Sequence, residues 1–184
     1  MRKWLLALGL ASALVAAGCS SNSSDENSNG SSDDNQSEES SDQTSDKQSM
    51  KMAVLDEQMN MKDVFKPYQE KITAYQTEVS AEEPDQEKIK AAGKEAQTAA
   101  KEAADKASNY EIQADLSDDV KSQYKDALSS LQGYYQDVSD ALDKDAAKAD
   151  LSSAEEKFTN FNDTLGKIYE DVGLNAPDMM KEFS

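Results

Sequence analysis

Apolar side chains are distributed along this chain in two ways. They are almost continuous between residues 4 and 17, and from about residue 50 onward they recur every three or four positions. That spacing traces one face of an α-helix, and four segments carry it. The first holds Met61, Val64, Phe65, Tyr68, Ile72, Tyr75 and Val79, with Pro67 expected to kink it or mark where its regular part begins. Glu82-Glu83-Pro84-Asp85 ends this helix and starts the next, its acids suited to the positive pole of a first turn. The second segment, residues 84–110, has small residues on its inner seam: Ile89, Ala92, Ala96, Ala99, Ala103 and Ala107. Such a seam lets a neighbouring helix come close. Ser117 is a suitable cap for the third, whose seam is Val120, Tyr124, Leu128, Leu131, Tyr135, Val138 and Leu142. The fourth carries Leu151, Ala154, Phe158, Phe161, Leu165, Ile168 and Val172, and Gly173 is placed to end it. No stretch alternates with period two, so no sheet is expected.

Four amphipathic helices joined by short polar breaks predict an all-α domain over residues 50–184, an antiparallel up-down-up-down four-helix bundle. An extended coiled coil would need fewer breaks than Pro84, Ser117 and the Asp143–Asp150 region supply. Upstream, residues 20–49 contain 12 Ser and eight acids but no aliphatic or aromatic side chain. A segment with nothing to bury cannot offset the entropy of ordering, so residues 19–49 are expected to form a disordered, acidic, Ser-rich tether.

The continuous apolar run, Trp4 to Ala17, follows Met1-Arg2-Lys3 and ends in Val15-Ala16-Ala17-Gly18-Cys19. It is shorter than the about 20 residues that span a bilayer and has the order of an export signal. Residues 1–19 resemble a bacterial lipoprotein signal of the Gram-positive type, with Ala16 in place of the commoner Leu. The resemblance implies cleavage after residue 18 and a diacylglycerol thioether, with a palmitate-like acyl complement, on Cys19. It also implies a home on the extracellular face of the cell membrane. Cys19 is the chain's only cysteine, and lipidation would leave no free thiol. Two or three acyl chains at about 0.8 kcal/mol per buried CH₂ give a stable anchor.

Composition narrows the chemistry. Acids number 37 against 19 bases, a net charge of -18, which argues against nucleic acid as a partner. With no His, one Cys and Arg2 as the sole Arg, the chain lacks His/Cys zinc sites, His-based acid–base catalysis and guanidinium clamps. No glycine-rich phosphate loop is present. No catalytic residue and no cofactor are therefore expected. The acid pairs Glu82-Glu83, Asp118-Asp119 and Glu155-Glu156 fall in first turns and breaks, where exposed carboxylates suit the helix dipole better than they suit a glycosidase cleft. Asp143, Asp145 and Asp150 lack the turn Gly and the bidentate Glu of a calcium loop.

Two features remain as candidate sites. Tyr68, Tyr75, Tyr124 and Tyr135 fall on inner seams, where they are expected as core rather than as ligand-stacking groups. The six methionines beyond the signal are Met50, Met52, Met59, Met61, Met179 and Met180. An even number of antiparallel helices would bring both ends of the domain together, so these six are expected to meet beside the tether. They could act as an apolar plug, as an adaptable patch for an envelope protein, or as a soft site for copper(I). The sequence thus predicts a non-catalytic binding or presentation module anchored to the membrane. The alternative is an extracytoplasmic binder of a small ligand or of copper.

Overall fold

The computed structural model describes residues 39–184, with side chains from Asp46 onward; the signal segment, Cys19 and most of the tether lie outside them. The described residues form helices α1 (Glu39–Val79), α2 (Gln86–Ser108), α3 (Asp118–Asp145), α4 (Ser152–Asp171) and a short α5 (Met179–Phe183), and no strand. Successive helices pack side by side in antiparallel hairpins. Lys71 of α1 pairs with Glu95 of α2, Gln97 of α2 donates to Asp143 of α3, and Ser153 of α4 donates to Asp137 of α3. The domain is the up-and-down helical bundle that the periodicity predicts.

Local chemistry sets the helix ends. Asp85 caps α2 by accepting from the amides of Glu87 and Lys88, and Ser117 caps α3 by accepting from Val120. Gly173 follows α4 at φ 73°. Its amide bonds to the Glu170 carbonyl and that of Leu174 to Tyr169, closing a Schellman turn that needs a left-handed residue.

Two boundaries differ from the sequence expectation. α1 begins at Glu39 rather than near Met50, taking in residues assigned to the tether. Adding residues to a helix already nucleated gains one hydrogen bond for each residue fixed, so polar flanks can continue it. α1 also runs unbroken through Pro67, although the Asp63 carbonyl loses the amide that position 67 would have supplied.

The core is continuous, and its two halves differ in character. α1, α3 and α4 contribute aromatics: Phe65 lies 5.9 Å from Tyr135, Tyr134 lies 5.0 Å from Phe158, and Phe158 lies 5.4 Å from Phe161, centroid to centroid. Offset and edge-on pairs like these add to area burial. α2 contributes Ile89, Gly93 and a run of alanines. At Gly93 a Cβ would stand 2.8 Å from the Ala146 Cβ and 3.5 Å from the Tyr75 ring, so the backbone there touches its neighbours directly.

α5 was not expected. After the Schellman turn the chain reverses and lays α5 against the middle of α1. There Lys62 pairs with Glu182 at 2.9 Å and Lys66 donates to the Ser184 carbonyl. Met179 and Phe183 are fully buried, with the Phe183 ring 5.8 Å from Phe65 and 6.2 Å from Phe161. A wedge therefore fills the seam between α1 and α4. Five residues are too few to show helical periodicity, which is why the sequence pattern passes over them.

Candidate functional site

The expected methionine cluster is dispersed in this fold. The end of α4 does return to the start of α1: Met50 and Lys51 line a hollow with Val172 and Gly173. α5 then carries Met179 and Met180 away from that end, so that Met180 Sδ accepts from Gln69 Nε2. Met50 and Gln69 are about 28 Å apart along α1. The Met-x-Met pairs also fail as shared sites, because residues two apart on a helix face different ways. Met61 is fully buried while Met52 and Met59 are each 57% exposed. The picture of six thioethers meeting beside the tether is corrected accordingly. Met61 and Met179 are core, and Met52, Leu55 and Met59 form a separate outward stripe.

The tyrosines divide as well. Tyr75, Tyr124 and Tyr135 are buried, whereas Tyr68 is half-buried at the surface between α1 and α2. The three acid pairs are exposed. The Asp143–Asp150 junction serves local capping: Asp145 accepts from the Ala147 amide and Asp150 from the amide and hydroxyl of Ser152. The Ser152 bonds hold the Asp150 carboxyl below the usual range. Among the described residues no group of three or more carboxylates, Cys or His converges to hold a metal. Nor is any helix among them long and apolar enough to cross a membrane.

Two buried polar side chains are prominent in the structure. Glu57 is fully buried on α1, and its Oε2 accepts from the backbone amides of Gln113 and Ala114 at 3.0 and 2.9 Å. This pins the α2–α3 connection onto α1. The Tyr110 hydroxyl lies beside the same carboxyl group, and neither it nor Glu57 Oε1 has another partner among the described residues. Burial drives the Tyr110 hydroxyl well above its ordinary range, and Glu57 pushes the same way. Gln69 is the second, its Oε1 accepting from Tyr134 at 3.1 Å. Both positions lie on the α1 seam, between Val54 and Met61 and between Phe65 and Ile72. A polar residue at a seam position was the available signal. Glu57→Ala should cost about 1–3 kcal/mol of stability through its orphaned amide donors, read as a lower urea midpoint, while Glu57→Gln, which keeps an acceptor, should recover most of it.

The surface feature most suited to binding lies between α1 and α2. A groove of about 710 Å³ runs over Val64, Pro67, Tyr68, Ala91 and Ala99, rimmed by Lys71, Lys94, Glu95 and Glu102. A second hollow, about 440 Å³, continues it across Val64 to Asn60, Asp63, Lys106, Asn109 and Tyr110. The small side chains of α2 create this channel, since alanines leave the space that larger residues would fill. Its volume lies within the range of ligand sites, and its floor is apolar with polar groups at the margin. Pro67 contributes its ring to the apolar floor. No protein-family model, curated protein or solved structure matches the chain.

Proposed function

We propose that the protein is a membrane-anchored lipoprotein on the extracellular face of the cell membrane, acting as a binding or presentation module without catalysis. Cys19 is the lipidated residue, the tether spaces the bundle from the membrane, and the α1–α2 groove is the binding surface. The observation that carries the anchor is the apolar run ending in Ala-Ala-Gly-Cys, followed at once by a polar, aliphatic-free stretch. The binding role is supported by the groove, an apolar concavity on a domain whose core is otherwise filled by its own side chains.

Cys19→Ser should move the protein from the membrane fraction to the medium, as two acyl chains are needed for stable anchorage. Mass spectrometry of the mature wild-type chain should find an acylated Cys19 at its N-terminus. An unmodified N-terminus would remove the anchor from this reading.

A further inference from the structure

We infer that the α1–α2 groove receives an amphipathic helix of a partner protein, lying parallel to α1 with its N-terminus toward Asp63 and Glu102. This deepens the reading of the domain as a binding module and rests on it.

The nature of the occupant follows from the walls. Both sides of the groove are α-helices, whose amides and carbonyls are already bonded within each helix. An extended peptide laid on this floor would lose water from its own amides and carbonyls and find almost no replacement partners. A helix brings its backbone already paired, and it meets a surface of ridges and small-residue hollows built for helix packing. The Ala91–Asn109 wall is about 27 Å long, which accommodates about 18 helical residues.

Orientation follows from charge. At the end nearer the start of α1, Asp63, Glu102 and Glu111 outnumber Lys106. At the other end Lys71 and Lys94 outnumber Glu95. A helix carries partial positive charge at its N-terminus and negative charge at its C-terminus. The acidic end therefore attracts the N-terminus and any basic residues near it, and the lysine end attracts the C-terminus.

The test uses two synthetic 18-residue helical peptides with a Leu/Ala stripe, titrated into the full chain and read by fluorescence anisotropy. One has Lys in its first turn and Glu in its last; the other has these ends exchanged. The first should bind at least tenfold more tightly. Thr98→Trp, an exposed substitution that fills the groove, should weaken its binding at least tenfold. The double variant Glu102→Lys, Lys94→Glu should invert the preference between the peptides, a comparison in which their own helicities cancel. Equal binding of both peptides to both chains overturns the proposal, as does binding indifferent to Thr98→Trp. Saturable palmitate uptake that Thr98→Trp abolishes, without peptide binding, would also overturn it in favour of a lipid site. The Cys19→Ser chain should bind peptide as the wild type does, so failure of the anchor and failure of the groove give different results.

Discussion

Phe183→Ala should destabilise the domain by about 3–5 kcal/mol, the cost of emptying a fully buried aromatic site. A five-residue helix would ordinarily be expected to fray, since one turn cannot offset its nucleation. Here the stability of the helix comes from its wedge. Phe183 stands 5.8 Å from Phe65, 6.3 Å from Phe158 and 6.2 Å from Phe161, so it joins α1 to α4 where those helices are spread apart. Its removal should open a channel along that seam and expose Met179, also fully buried. Urea titration followed by circular dichroism is the measurement, with Lys181→Ala as the comparison. Lys181 is exposed and pairs with the neighbouring Asp178 at 2.7 Å, and its loss should leave the midpoint nearly unchanged. If Phe183→Ala were equally silent, α5 would not be docked.

High pH should unfold the domain cooperatively. Burial raises Tyr110, Tyr124, Tyr135 and Tyr169 well above the ordinary value of 10.0, and raises Tyr134 to about 12. In the folded state these hydroxyls keep their protons at a pH where the unfolded chain has begun to release them. Above pH 10 the unfolded state therefore binds fewer protons, and stability falls as pH rises. The contribution is fully present below the ordinary tyrosine value and is lost through the folded ones. Each tyrosine that ionises only on unfolding removes about 1.4 kcal/mol per pH unit in that window. Between residues 50 and 184 there are 29 acids against 16 lysines, so deprotonation of lysine adds self-repulsion in the same range. Tyrosinate absorbance should appear in one step with the loss of helical ellipticity. A smooth titration near pH 10 with helicity retained would show these hydroxyls to be solvent-exposed.

The parts of this fold legible in the sequence were those with repetition. The seams of α3 and α4 were readable nearly residue by residue, because large apolar groups recur there at helical spacing. Ser117 and Gly173 were readable because capping chemistry is local. α5 was not, since a single turn has no period and its burial depends on helices far away in the chain. Glu57 and Gln69 were hidden for the opposite reason. They occupy seam positions, but their partners, the amides after residue 112 and the Tyr134 hydroxyl, are set by tertiary packing. The groove was half visible: an alanine seam announced close approach, but which side would stay uncovered depended on the packing of the whole bundle. The methionines show the reverse error, in which proximity to the two ends of the domain was taken for proximity in space.

The alanine face of α2 also governs how this protein can change over generations. A seam built of Gly93, Ala96, Ala100 and Ala103 is already near its minimum size, so drift there has one direction, and that direction is obstructed. At Gly93 even a methyl group meets Ala146 at 2.8 Å. The aromatic side of the core has more latitude, because Phe, Leu and Met can replace one another with modest repacking. Substitutions should therefore accumulate unevenly across the bundle, with α2 confined to a narrow alphabet of Gly, Ala and Ser. A lineage that enlarged that face would force α2 away from α1 and remodel the channel between them, acquiring a differently shaped surface at the expense of the original one.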